Sequence, residues 1–216
     1  MAREPQSAAK TRRDLNGEAT RRNMVRSARR LFARQGYAGT SLDQVVRAAK
    51  VTTGALYHHF GDKKGLFQAV AEAVEADILE RILAAAAAAS DPWARLIAGT
   101  TEMLSVCAEP AIQRIAFQDA PTVIGAAQWR AIEMRFAFGV FSQALEGLMA
   151  AGVLRRYPAD MLAPVLLGAT IEAATAVARA DDKPAAQAQA LEILTRLYEA
   201  LRITPPPGGA PHRGSK

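Results

Sequence analysis

A chain of 216 residues, half of them apolar, has material for one domain of ordinary size and a small second one, and its many alanines and leucines with few aromatics favour a helical protein over a sandwich or barrel. One cysteine, Cys107, excludes an intrachain disulfide framework and suits a reducing cytoplasm. No uninterrupted apolar run reaches the ~18 residues of a membrane span, so no membrane partner is expected. The net charge of +6 is unevenly spread: residues 1–65 hold 14 lysines and arginines against 5 acids, and residues 66–216 hold 13 against 16. A basic head on a mildly acidic body is the footprint of a protein that presents one end to a polyanion. A solvated basic surface and affinity for anionic lipid are the alternatives that charge alone leaves open.

Residues 1–16 are polar, basic and aperiodic and read as a disordered arm. A first helix follows over 17–35, with Val25, Ala28, Leu31 and Phe32 at spacings of three and four, and Gly36 ends it. Thr40 or Ser41 caps a second helix bearing Leu42, Val45, Val46 and Ala49. After a tight turn at Lys50-Val51, Thr52 caps a third helix that contains Leu56 and Phe60. A fourth starts near Asp62 and runs to about residue 89, its alanine run being strong helix former. Asp91-Pro92 opens a helix over 92–107, and Pro110 and Pro121 divide the next stretch into a short helix and a loop. A long helix over 126–151 ends at Gly152. Two last helices lie near 160–180 and 185–202, with a bend or a later start expected at Pro164. The tail from 203 reads as disordered.

Two short helices joined by a tight turn and braced by a longer one make a helix-turn-helix, whose second helix enters the DNA major groove with its N-terminal residues at the base edges. Thr53, Gly54 and Ala55 lie at that leading end, where small residues permit close approach and a threonine can meet a base edge or a thymine methyl. Tyr57, His58 and His59 follow a turn later, beside the flanking phosphates, and Lys63 opens the next helix, where its charge and free backbone N–H groups can share a phosphate. The adjacent histidines point to different helix faces and cannot easily share a metal. No metal site, cofactor or catalytic constellation is expected.

The stretch LFARQGYAGTSLDQVVRAAKVTTGALYHHFGDKKGLF, residues 31–67, resembles the DNA-binding domain of the TetR family of transcriptional regulators. The resemblance rests on Phe32, Gly36-Tyr37, Thr40-Ser41, Val45, Ala49, Val51-Thr52, Gly54, Leu56-Tyr57, His59-Phe60, Lys63 and Leu66. It implies phosphate contacts from Tyr57, His59, Lys63 and the Thr40-Ser41 cap, and base contacts from Thr53, Gly54, Ala55 and His58. Lys50, Val46 and Lys64 depart from the pattern. Lys50 stands where a turn glycine is usual and is expected to adopt a left-handed conformation at ~1 kcal/mol.

Beyond residue 67 the resemblance is one of helical layout. In that layout the last two helices pair with their copies in a second subunit. Leu162, Leu166, Ala169 and Ala173 form one apolar stripe, continued by Ala176, and Leu191, Leu194, Leu197, Tyr198 and Leu201 form another. The helices over 92–150 would enclose a ligand pocket, lined in part by Trp93, Met103, Phe117 and Trp129. Glu102, Arg114, Asp119, Arg130 and Glu133 are polar groups among apolar ones, fit either to orient a ligand or to form ion pairs on a solvated face.

The expectation is an all-α protein: a disordered arm over 1–16, a helix-turn-helix head over 17–65, a helical effector-binding and dimerisation domain over 66–202 and a disordered tail over 203–216. Its function would be that of a cytoplasmic, homodimeric regulator that binds a palindromic operator in double-stranded DNA and is released by a small-molecule effector. An effector-independent DNA-binding protein, architectural or constitutive, is the alternative. An enzyme lacks support, for want of a nucleophile–base or metal-ligand set.

Overall fold

Caps and special backbone residues delimit the elements of the computed structural model, which describes residues 12–203. Helix α1 (Arg12–Gly39) is broken at Gly36, whose φ of 71° and ψ of 174° only a glycine adopts without strain. It begins at Arg12, so residues 12–16 are helical and not part of an irregular arm; residues 1–11 lie outside the described residues. Ser41 opens α2 (Leu42–Ala49) with a reciprocal capping box: its hydroxyl accepts the Gln44 N–H at 3.2 Å, and the Gln44 side chain accepts the Ser41 N–H at 2.8 Å. Lys50 closes α2 in the left-handed region at φ 54°. The Thr52 hydroxyl accepts the Ala55 N–H at the start of α3 (Thr53–Phe60), and Asp62 accepts the Gly65 N–H at the start of α4 (Lys63–Ala87).

Downstream come α5 (Pro92–Cys107), α6 (Pro110–Ile112), two π-helical segments (Gln113–Asp119 and Pro121–Gly125), α7 (Ala126–Ala150), α8 (Ala159–Arg179) and α9 (Lys183–Ala200). The loop expected after Pro121 is therefore helical. A proline in an α-helix clashes with the carbonyl four residues back, and the wider i→i+5 turn relieves that clash. Helix α8 runs through Pro164 from Ala159, at the cost of the hydrogen bond that an N–H at 164 would give to the Asp160 carbonyl. The expected tail begins at Ile203, whose N–H bonds to the Val153 carbonyl at 3.0 Å; residues from 204 on lie outside the described residues. Among the described residues there is no strand, only an isolated bridge between Leu154 and Arg202.

The chain divides into two units, and α4, α5 and α7 each pass from one to the other. The first unit holds the residues through Glu80 together with Val106–Met134. Helices of eight residues are not stable alone, and here Val45 and Ala49 of α2 and Leu56 of α3 are buried along with Met24, Ala28 and Phe32 of α1 and Leu66, Phe67, Val70 and Ala71 of α4. Asn23 ties α1 to the end of α2 by donating to the Ala49 carbonyl at 2.7 Å. The Phe32 and Phe67 rings meet edge to face at 5.1 Å.

The second unit comprises Arg81–Ser105 and the chain from Arg135 on. Its core includes Leu104, Leu145, Leu148, Leu154, Leu167, Ile171 and Leu194, and a hydroxyl cluster sits within it. The Tyr198 hydroxyl lies 3.0 Å from that of Thr170 and 3.4 Å from that of Thr100, so three buried polar groups satisfy one another. An 18-residue window of α8 has a mean hydropathy of 1.7, apolar enough to cross a membrane by composition; Ala163, Leu166, Leu167, Ile171, Ala174 and Val177 of this helix are buried in the core of its own unit.

Candidate nucleic-acid interface

The burial of Leu56 fixes which side of α3 faces outward. Thr52, Thr53, Gly54 and His58 are exposed, Tyr57 is 51% exposed, and Ala55, His59 and Phe60 are half-buried on the flanks. Thr53 and Gly54 thus occupy the free leading end of the helix, and no atom lies within 4 Å of the position a Cβ would take on Gly54. The face is small and open at its tip, aromatic and basic one turn later.

The supporting groups are not all as available as their spacing implies. Thr40 is buried, and its hydroxyl donates to the Gly36 carbonyl at 2.8 Å, so in the free protein that hydroxyl serves the break in α1. Ser41 is exposed, although its hydroxyl is engaged in the cap. The Lys63 ammonium rests 4.3 Å from the centre of the Tyr37 ring, where burial lowers its pKa. Burial also lowers the His59 pKa, and the neighbouring His58 and Arg21 lower it further, so His59 is neutral at pH 7. Arg21 itself lies over the Phe60 ring at 5.3 Å, which adds a cation beside α3. A hollow of about 350 Å³ opens between α1 and α2, with Arg30 and Arg34 among its lining residues.

Of the dimer stripe, Leu166 and Leu194 face inward, 6% and 1% exposed, and Leu162, Ala169, Ala173, Leu191 and Leu201 are half-buried. The large apolar residues left in the open on α8 and α9 are Met161, Val165, Ile193 and Leu197, and Ala176 of the expected stripe is exposed as well. A stripe read at spacings of three and four has two edges, and the core of the unit took one of them.

Of the four residues expected around a ligand, two belong to each unit. Trp93 and Met103 belong to the second unit, where the Arg202 guanidinium covers the Trp93 ring at 4.5 Å. Phe117 and Trp129 belong to the first, Trp129 buried and Phe117 half-buried. The polar residues of this region form ion pairs: Glu102 with Arg81 at 2.8 Å, Arg114 with Asp119 at 3.6 Å and Arg130 with Glu133 at 4.0 Å.

Two features are invisible to motif spacing. Asp119 accepts the backbone N–H of Tyr37 at 2.8 Å, a contact across 82 residues, and the Arg114 guanidinium packs where a side chain on Gly36 would have to sit. Glu75 of α4 shares the inward side of its helix with Ala71, Val74 and Ile78, and burial, seconded by the charge of Glu133, pushes its pKa up to about 8. The one available signal for Glu75 was an acid inside an apolar stripe.

An exposed, small-tipped recognition helix on a basic three-helix head defines a DNA-binding regulator of the helix-turn-helix class. Residues 25–70 match the family model described as bacterial regulatory proteins of the tetR family, and residues 93–201 match that of the tetracyclin repressor-like C-terminal domain. The chain belongs to the TetR family of transcriptional regulators. It is similar to a TetR-family regulator of Pectobacterium atrosepticum of known structure, at 36% identity and a TM-score of 0.80, over 90% of this chain and 99% of that one. It is 26% identical to the Transposon Tn10 TetC protein of Escherichia coli over 74% of this chain and 80% of that protein. It is 42% identical to the HTH-type transcriptional regulator AcrR of Shigella flexneri over 34% of this chain and 33% of that protein.

Proposed function

We propose that the protein is a cytoplasmic homodimeric repressor that binds a two-fold symmetric operator through α3 and is released by a small molecule. The observation that carries this reading is the free face of α3, with Thr53 and Gly54 at the tip and Tyr57 and His58 behind it on a basic head. One head offers a single short helix, and two-fold pairing of heads matches half-sites one helical turn apart. The exposed Met161, Val165, Ile193 and Leu197 supply an apolar surface for the pairing. A relative named as a transcriptional repressor, AcnR of Corynebacterium efficiens, supports repression at 38% identity over 34% of its length.

Release by a ligand requires that its affinities for the free and DNA-bound states differ by ~10⁴ for a switch from 99% to 1% bound. Burial of ~200 Å² of apolar surface in one state only reaches that at ~25 cal/mol/Å², so a mid-sized apolar or aromatic compound fits. The test begins with selection from a random duplex pool. Enrichment of a symmetric site with half-sites about 10 base pairs apart is expected, and a pool without enrichment overturns the reading. A compound screen on the selected site then follows tryptophan fluorescence and operator release together. If no compound releases the DNA, the effector-independent class takes its place.

A further inference from the structure

The break in α1 at Gly36 is held from outside. Arg114 packs against Gly36, and Asp119 Oδ2 accepts the Tyr37 N–H at 2.8 Å, both from the π-helical segment Gln113–Asp119 of the same unit. The same carboxylate oxygen lies 3.6 Å from Arg114 Nε, a buried N–H that has no hydrogen-bond partner. One acceptor thus faces two donors and satisfies only the one on the head. The helix type is what allows this. Residues five apart on an α-helix point ~140° away from each other, whereas the i→i+5 turn of a π-helix brings them back to nearly one side. Arg114 and Asp119 are five apart. If the segment tightened to an α-helix, the two could no longer face the α1 break together.

Tyr37 passes this hold on to the DNA-binding end. Its ring meets Phe67 of α4 edge to face at 5.2 Å and carries the Lys63 ammonium at 4.3 Å, at the opening of α4. Because π-turns cost helical hydrogen-bond geometry and buried unpaired N–H groups cost free energy, the contacts to Gly36 and Tyr37 offset part of the cost of this arrangement.

We propose that Arg114, Asp119 and the Gly36–Tyr37 break form a latch that positions the helix-turn-helix head, with the π-helical turn as its two-state element. Asp119 is the positioning residue. It touches no DNA, and it sets how well two heads engage one operator. The proposal rests on the dimeric, two-half-site reading above.

The experiment uses the full-length protein and a symmetric site selected with the wild-type chain, next to a duplex carrying one half-site. In Asp119→Ala, affinity for the symmetric site is expected to fall about tenfold while half-site affinity stays within about twofold, because a loosened head loses the advantage of simultaneous engagement and not its own contacts. Exchange of the Tyr37 amide should quicken at least tenfold. Asp119→Asn, which keeps an acceptor, should restore both values. Equal losses on the two duplexes, or none on either, overturn the latch. Should Asp119→Ala fail to fold, Asp119→Glu displaces the acceptor by one methylene and must show the same contrast between duplexes. If wild-type selection yields no symmetric site, the dimeric reading fails first; the Tyr37 exchange rates then decide the latch alone.

Discussion

His59 and Glu75 are both perturbed by burial, and each makes a measurable statement about protons. The pKa of His59 lies below its ordinary value in the free protein. A phosphate brought beside it would stabilise the imidazolium, so DNA binding would take up a proton. Operator affinity is therefore expected to rise as pH falls from 7.5 to 5.5, and His59→Gln should flatten that slope; parallel curves would remove His59 from the interface. Glu75 behaves oppositely to an ion-paired carboxylate. With its pKa near 8 when folded and an ordinary value near 4.5, the folded chain keeps a proton that the unfolded chain loses. Its contribution to stability is full below about pH 4.5 and drains away as pH rises to about 8. Calorimetry from pH 5 to 9 should show the wild-type Tm falling more steeply than that of Glu75→Gln, which is neutral throughout. Identical slopes would show that the carboxyl is already ionised.

Among the elements, α3 is held by a cap at one end and by Leu56 beneath, which leaves its upper face to function alone. A Cβ at Gly54 meets no atom within 4 Å in the free protein, and leucine there improves helix propensity by up to ~1 kcal/mol. Gly54→Leu should thus keep the wild-type circular dichroism and Tm and lose specific DNA binding, since the added side chain holds the helix off the base pairs. Retained operator affinity, measured by fluorescence anisotropy, would mean that another face docks. α1 shows the complementary case. Its break at Gly36 disfavours any side chain through the positive φ, and a substitution there would also displace the Arg114 guanidinium packed against it.

For the molecule as a whole, the inward and outward edges of α8 and α9 make different predictions. Ile193 and Leu197 are 62% and 44% exposed, so Ile193→Glu with Leu197→Glu should give a folded monomer in sedimentation velocity, with helicity unchanged. Leu194 is 1% exposed, and Leu194→Asp buries a charge with no partner, which costs several kcal/mol and should unfold the second unit whatever the oligomeric state. A dimer that survives the exposed pair of substitutions would move the interface off α9. The loss of helicity with Leu194→Asp alone would reproduce the packing and say nothing of association.

What the sequence by itself determined is what depends on neighbours within four or five positions. The caps at Ser41 and Thr52, the breaks at Gly36 and Gly152, the left-handed Lys50 and the spacing that buries Phe32, Val45, Ala49 and Leu56 are all local, and so was the recognition helix with its small-residue tip. Tertiary structure decided the rest. Whether Leu166 and Leu194 turn inward depends on which edge of an apolar stripe the rest of the unit covers, a choice that periodicity leaves degenerate. Thr40 was spent on the Gly36 carbonyl because the break in α1 needed a donor there. The inward edge of α8 and α9, and the grip of Asp119 on a Tyr37 amide 82 residues away, arise from long-range packing. No pattern of apolar spacing encodes them, since helical periodicity reports which side of an element is buried and not what it is buried against.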